Sequence, residues 1–112
     1  MPIKPFAATG SPGIVVPGKR QLIVETLSVQ VDVNPPGAKL EAFVSYKCAG
    51  QNIQLFVPLT YAYTEPATNF DFHVAMQNVR LYPDKKTTMT VSVYAPGGNP
   101  GTLFLTVLGQ LV

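Results

Sequence analysis

The sequence predicts an all-β chain that folds as an antiparallel β-sandwich of seven to eight strands, of jelly-roll or immunoglobulin-like type. Short segments of alternating apolar and polar residues recur along its 112 residues, as expected of strands with one buried face. Eleven prolines and nine glycines separate these segments into strand-sized lengths. No long segment shows the 3.6-residue apolar period of a helix. The chain has no Trp and one Cys, which argues against a true immunoglobulin domain.

The chain is predicted to be one domain over residues 1–112, with residues 1–13 as an irregular N-terminal arm. A short strand is expected over residues 14–16, and a long one follows. The apolar alternation of this long strand changes parity near Glu25–Thr26, which indicates a β-bulge or a strand covered on both faces. The two apolar sets are Leu22 and Val24 before the change, and Leu27, Val29, Val31 and Val33 after it.

The next two segments, 40–47 and 53–59, alternate around the tight connection "CAGQN" and are predicted to form a hairpin. Pro58 indicates that the second of these strands lies at a sheet edge or ends there, because proline lacks the N–H that a central strand needs. The inward side chains are expected to be Leu40, Ala42, Val44 and Tyr46 on the first strand, and Ile53, Leu55, Val57 and Leu59 on the second.

"TYAYTEPATN" is interpreted as the longest loop, and "FDFHVAM" after it as a strand. The larger apolar residues of this strand are expected inward, with a change of parity near Gln77–Asn78. That register places Asp71 and His73 on the outer face, toward solvent or a subunit boundary. The predicted inward residues are Phe70, Phe72, Val74 and Met76, then Val79 and Leu81.

The two last segments complete the sandwich. Residues 88–94 put Met89, Val91 and Val93 on one face. In the final segment Leu103, Leu105, Val107 and Leu111 alternate with Phe104, Leu108 and Val112, so both faces are apolar. Such a strand is central in its sheet, or its outer face is covered by another subunit.

Composition predicts self-association. Only 12% of the residues are charged, against an average of about 25%. Because exposed apolar surface normally marks an interaction site, we expect a homo-oligomer, most simply a closed symmetric one. The net charge is +2 and the basic residues are scattered along the sequence, which argues against a nucleic-acid partner.

Several chemistries and locations are disfavoured. One Cys and one His cannot supply a four-ligand zinc site or an iron–sulfur centre within the chain, so no cofactor is expected. Phosphate-binding glycine motifs are absent. The N-terminal residues contain no apolar signal-peptide core, and no apolar segment is long enough to insert in a membrane. A cytoplasmic location is the default expectation, and Cys48 is interpreted as an incidental thiol.

The residues around the lone histidine are the candidate ligand site. Aromatic rings beside amides and carboxylates are typical of sugar-binding sites, which predicts a glycan ligand. The alternative is that the tyrosines close the end of the sandwich. Oxygen ligands for calcium are conceivable at Glu65, Asn69 and Asp71. The candidate residues are Tyr61, Tyr63, Glu65, Asn69, Asp71 and His73.

Three function hypotheses follow. The first is a non-catalytic, self-associating binding module, with carbohydrate as its ligand. The second is a structural subunit of a coat, shell or fibre, with no small ligand. The third is a hydrolase in which Asp71 orients His73 as a general base, with Ser45 or Ser92 as the nucleophile.

The strand and turn pattern resembles that of small uncharacterised bacterial single-domain β-sandwich proteins of jelly-roll-like type. The resemblance covers residues 14–112 and is carried by "VVPGKRQLIVETLSVQVDV", the central hairpin, "VRLYPDKKTTMTVSVY" and "TLFLTVLGQLV". It implies a sandwich fold and carries no site residues with it.

Overall fold

The computed structural model describes residues 2–112 and shows two antiparallel β-sheets packed face to face, with 68% of the chain in strands and none in helices. A five-stranded sheet has the order β1-β9-β3-β7-β6, and a four-stranded sheet has the order β2-β8-β4-β5. The nine strands of the described chain are β1 Lys4–Gly10, β2 Gly13–Val15, β3 Leu22–Asn34, β4 Glu41–Cys48, β5 Gln51–Val57, β6 Thr60–Glu65, β7 Phe70–Leu81, β8 Thr88–Tyr94 and β9 Asn99–Leu111. The predicted β-sandwich is confirmed.

The molecule is elongated along its strands, with extents of 50 × 25 × 19 Å. The three longest strands, β3, β9 and β7, have 13, 13 and 12 residues and lie side by side in the five-stranded sheet. At ~3.3 Å per residue they span most of the long axis. Loops and turns therefore gather at two widely separated ends.

The core lies between the two sheets and consists almost entirely of valine and leucine. β-branched side chains suit this position because they pack well on a pleated surface. The central strand β3 contributes the largest share, and each of its inward side chains is fully buried. The fully buried large side chains are Val16, Leu22, Val24, Leu27, Val29, Val31, Val33, Val44, Val57, Met89, Leu105 and Val107.

The predicted change of parity in β3 is confirmed. The pairing of β3 with both of its neighbours shifts register between Val24 and Thr26, as at a β-bulge. The inward residues are even-numbered up to Val24 and odd-numbered from Leu27 onward. On the neighbouring strand, Gly109 lies opposite Val24, and a β-carbon there would be 2.0 Å from the backbone oxygen of Ile23. Glycine therefore permits the close approach of β9 at the bulge.

The predicted hairpin is also confirmed. β4 pairs with β5 from Ala42 opposite Val57 to Cys48 opposite Gln51. The two residues between the strands, Ala49 and Gly50, both have positive φ, as in the tight turns that suit the twist of a hairpin. β5 is an edge strand, and it ends just before Pro58, as the sequence predicts.

The predicted orientation of the β7 side chains is wrong. Asp71 is only 5% exposed, whereas Met76 is 74% exposed. The inward residues of β7 are odd-numbered throughout, and Ala75, Val79 and Leu81 pack against the core, so the expected change of parity at Gln77–Asn78 does not occur. Phe70, Phe72, Val74 and Met76 share the outer face, while Asp71 and His73 point between the sheets.

Two segments predicted to be irregular are strands. Residues 4–10 form β1, which pairs with β9, and the inward Phe6 and Ala8 pack against the core. The prediction of an irregular arm is therefore wrong for this segment, and Met1 lies outside the described residues. Residues 60–65 form β6, which pairs with β7, so "TYAYTEPATN" is a hairpin arm and turn instead of a long loop. These two strands raise the number of strands above the predicted seven to eight.

Candidate ligand-binding site

A pocket of about 520 Å³ lies at one end of the sandwich, where β6 and β7 of one sheet meet β4 and β8 of the other. It brings together two of the predicted site residues, Tyr61 and His73, with Tyr94 from the end of β8. The full lining is Ala38, Lys39, Leu40, Glu41, Leu59, Tyr61, His73, Tyr94 and Pro96. We call this the three-ring pocket, because three aromatic side-chain rings line it.

A register shift in β6 separates the two predicted tyrosines. The pairing of β6 with β7 shifts between Tyr61 and Tyr63, so the two side chains face opposite sides of the sheet. Tyr61 faces inward and meets His73 edge to face, with ring centroids 5.8 Å apart and planes at 70°. Tyr63 faces outward and stacks on Phe72, with centroids 4.7 Å apart and planes at 10°. Of these two tyrosines, only Tyr61 lines the three-ring pocket.

Asp71 anchors the strands and the loop beneath this pocket. Its Oδ1 accepts a hydrogen bond from Thr64 Oγ1 at 2.5 Å, and its Oδ2 accepts one from the Gly37 N–H at 2.7 Å. The same Thr64 hydroxyl lies 2.7 Å from the Tyr61 hydroxyl, so Asp71 fixes the position of Tyr61 through one intermediate residue. The hydrogen bond from Thr64, followed by that from Gly37, lowers the pKa of Asp71 below its ordinary 3.8. Asp71 therefore has a structural role here.

Glu65 and Asn69 form the turn between β6 and β7. Glu65 Oε1 accepts a hydrogen bond from the Ala67 N–H at 3.0 Å, and the Glu65 carbonyl accepts one from the Asn69 N–H at 2.8 Å. Asn69 has a φ of 64°, a left-handed conformation that asparagine tolerates better than most residues. Both residues have local roles in the turn, and neither lines the three-ring pocket.

The hydrolase hypothesis requires a serine beside His73, and the fold does not provide one. Ser45 and Ser92 have the parity opposite to that of the buried Val44 and Val91, so they lie on the outer face of the four-stranded sheet. The carboxylate of Asp71 is engaged by Thr64 and Gly37. Within residues 2–112, the Nδ1 atom of His73 is buried and makes no hydrogen bond. The three components of the expected triad are therefore not assembled.

Tyr94, Glu41 and Lys39 are the aromatic and charged pocket residues that the sequence does not predict. Glu41 and Tyr94 are paired across β4 and β8, and Lys39 lies just before β4. They are 20 to 22 positions from the nearer of Tyr61 and His73, so only the pairing of the strands and the packing of the sheets reveal that they meet. The exposed aromatic at the end of "TMTVSVY" is the one local signal that singles out Tyr94.

A second groove, of about 650 Å³, lies where β4 and β8 separate beyond their last pair, Ser45 and Thr90. Its lining is polar and basic, with Lys47, Lys86 and several hydroxyl and amide groups, and Tyr46 is its single aromatic residue. It is the larger of the two cavities. The three-ring pocket is nevertheless the better ligand site, because it combines ring faces, an apolar floor and both signs of charge.

Comparison with protein-family models, with curated proteins and with solved structures gave no match. In the described part of the chain, no helix is long and apolar enough to cross a membrane. Across residues 2–112, no three His, Cys, Asp or Glu side chains lie close enough together to hold a metal ion. The two carboxylates considered for calcium are engaged elsewhere: Glu65 accepts a hydrogen bond from the Ala67 N–H, and Asp71 accepts hydrogen bonds from Thr64 and Gly37.

Proposed function

We propose that this chain is a non-catalytic binding module that takes a carbohydrate in the three-ring pocket. The observation that carries the proposal is the convergence of Tyr61, His73 and Tyr94 on one pocket at the end of the sandwich. An aromatic ring offers a flat apolar face against which the C–H groups of a sugar can stack. Tyr94 is 62% exposed and Tyr61 is 54% exposed, so each has surface to offer a ligand.

The remaining lining suits the rest of a sugar. Leu40, Leu59 and Pro96 supply apolar surface, while the Glu41 carboxylate can accept hydrogen bonds from hydroxyl groups and the Lys39 ammonium can donate them. Sites for small ligands commonly combine a largely apolar lining with a few polar groups that fix orientation. Thr64 hydrogen-bonds both Asp71 and the Tyr61 hydroxyl, and this restraint on the Tyr61 ring reduces the entropy lost on binding.

We expect Tyr94→Ala to weaken binding of an oligosaccharide about tenfold or more, because truncating an aromatic anchor in a pocket typically costs at least ~1.4 kcal/mol. A glycan array on the purified protein selects the probe, and isothermal titration calorimetry measures its affinity. Tyr63→Ala is the matched control, since Tyr63 is 52% exposed but lies on the outer face. An array with no bound glycan, or equal losses for the two variants, would contradict the proposal.

Self-association belongs to the same proposal and is supported by the outer face of the five-stranded sheet. Met76, Val74, Leu108 and Phe104 are exposed there, on β7 and β9. We propose that a second copy covers this face, since stacking two copies about a twofold axis would bury the same apolar residues from each. The low fraction of charged residues is consistent with a surface that is partly covered.

Met76→Glu is expected to shift this association toward the monomer, because the charge would have to be buried at the interface. Sedimentation equilibrium at about 0.5 M salt is the measurement, since apolar contacts persist when charge–charge attractions are screened. Val15→Glu is the control: Val15 is also exposed, but on the edge strand β2 of the other sheet. A wild-type protein that is monomeric at high salt would refute association through this face.

A further inference from the structure

The charged side chains of this protein separate along its long axis, although in the sequence they look scattered. One end, which we call the basic pole, is formed by segments 16–21 and 82–87 with the β4–β5 turn. Lys19, Arg20, Lys47, Lys85 and Lys86 lie there. Lys4 and Arg80 lie on the strand ends of the same half, because Lys4 pairs with Leu111 beside Leu22, and Leu81 pairs with Val24.

Hydrogen bonds join the segments of the basic pole. The Lys86 N–H donates to the Val16 carbonyl, and the Asp84 N–H donates to the Lys47 carbonyl at 2.7 Å. The Asp84 carboxylate accepts hydrogen bonds from the Ala49 and Gly50 N–H groups of the turn. Seven of the eight basic residues and only two acidic ones, Glu25 and Asp84, lie in this half, so its net side-chain charge is +5.

The opposite end, the acidic pole, is formed by segments 34–41 and 95–99 with the β6–β7 turn. Hydrogen bonds from Asn34 to the Asn69 carbonyl and from Gly37 to Asp71 join these segments. Four of the six acidic residues lie in this half with one basic residue, Lys39, so its net side-chain charge is −3. The four are Asp32, Glu41, Glu65 and Asp71.

The two poles cannot neutralise each other within one molecule. They lie at opposite ends of a body 50 Å long, and at physiological salt interactions between exposed charges are largely screened beyond about 8 Å. Poles of two molecules in contact would be much closer than this. The separation of charge therefore gives each copy two surfaces of opposite sign that can meet only between molecules.

We propose that copies of this chain associate end to end, with the basic pole of one molecule docked on the acidic pole of the next. The partner surfaces are different patches, so the contact is heterologous, and repeating it yields an open chain of subunits unless the rotation between them closes a ring. This inference uses other surfaces than the apolar outer face and does not depend on a ligand in the three-ring pocket. For the hypothesis that this chain is a fibre subunit, it specifies the contact between neighbouring subunits.

The end-to-end contact is expected to be weak and strongly dependent on salt. The cross-section of the molecule at its end measures 25 × 19 Å, an area of about 475 Å². A stable interface buries about 800 Å² on each partner, which is more than this end can offer. Complementary charges mainly raise the rate of encounter and fix orientation, and added salt screens them. We therefore expect assembly to grow with protein concentration at low ionic strength and to dissolve as salt is added.

Charge reversal at each pole provides the test. The triple variant Lys19→Glu, Lys47→Glu, Lys85→Glu changes the net side-chain charge of the basic half from +5 to −1 and leaves a molecule with two acidic ends. The double variant Glu41→Lys, Glu65→Lys changes the net side-chain charge of the acidic half from −3 to +1 and leaves two basic ends. Multi-angle light scattering at about 0.02 M and about 0.5 M salt measures the mass of each variant, of the wild type and of the 1:1 mixture.

Wild-type protein is expected to exceed its monomer mass at low salt and to lose at least half of the excess at high salt. Each variant alone is expected to lack this salt-sensitive excess, and the mixture of the two to regain it. The salt titration of the wild type needs no variant and stands even where a variant fails to fold. A wild-type mass that does not change with salt overturns the proposal. A wild-type protein that is monomeric at low salt and binds heparin also overturns it, because the basic pole would then be a site for an acidic polymer.

Discussion

Gly109→Ala is expected to lower the free energy of unfolding by roughly 3 kcal/mol, because an added β-carbon would collide with the backbone of β3. That β-carbon would be 2.0 Å from the Ile23 carbonyl oxygen and 3.1 Å from the Val24 α-carbon. The obstacle is a paired backbone, which cannot turn aside as a side chain can. To relieve this collision, β9 must move away from β3 at the bulge. That movement breaks hydrogen bonds between two inner strands of the five-stranded sheet.

Gly50→Ala separates this steric effect from the general effect of replacing glycine. Gly50 lies in the β4–β5 turn with a φ of 77°, and no atom lies within 4 Å of a β-carbon built there. Gly50→Ala is expected to lower the free energy of unfolding by about 1 kcal/mol, because alanine is strained in a left-handed backbone conformation. Urea unfolding of the two variants at neutral pH measures the difference. Equal costs would mean that β9 does not approach β3 as closely at the bulge as the structure shows.

Asp71→Asn is expected to destabilise the protein at neutral pH and to have progressively less effect in acid. The folded state lowers the pKa of this carboxyl from 3.8, through hydrogen bonds from Thr64 and then Gly37. A carboxyl with a lowered pKa stabilises the fold above its unfolded pKa, and this contribution disappears as the pH falls through the folded pKa. The difference in stability between wild type and variant should therefore reach its full size above about pH 5 and become smaller below about pH 4.

Thermal melts at a series of pH values measure this effect, with Asp84→Asn as the control. The Asp84 carboxylate also accepts two backbone hydrogen bonds, but they come from the exposed β4–β5 turn, where water can replace lost bonds. At neutral pH we expect Asp84→Asn to lower the melting temperature less than Asp71→Asn does. A melting temperature difference for Asp71→Asn that stays constant from neutral to strongly acidic pH would contradict a stabilising role for the ionised carboxylate.

The parts of the fold that the sequence predicts correctly are those in which the buried face is also the more apolar face. In β3 the apolar residues change parity between Val24 and Leu27, and the bulge lies there. The same reasoning fails for β7, because its outer residues Phe72, Val74 and Met76 are more apolar than its inner ones. A parity rule assigns the more apolar face of a strand to the core, so it fails for a strand such as β7, whose outer face is the more apolar one.

The candidate site was predictable only where it depended on local sequence. Tyr61 and His73 both come from the segment around the lone histidine, and both line the three-ring pocket. Tyr63, a candidate for the same site, faces the other side of the sheet because of the register shift in β6. Glu65, Asn69 and Asp71 hold the turn and the loop. Tyr94 and Glu41 have the outward parity of Ser92 and Ser45, and they line the pocket at the paired ends of β8 and β4, a placement that the order of residues along the chain does not reveal.

The separation of the poles along the strands has a mechanical consequence. The three longest strands run from one pole to the other, and their hydrogen bonds lie perpendicular to the strand direction. Tension between the poles would therefore load these bonds in shear, so that many must break together instead of opening one by one. In a chain of subunits joined end to end, the contacts between molecules would yield first, and each sandwich would be recovered folded when the force is released.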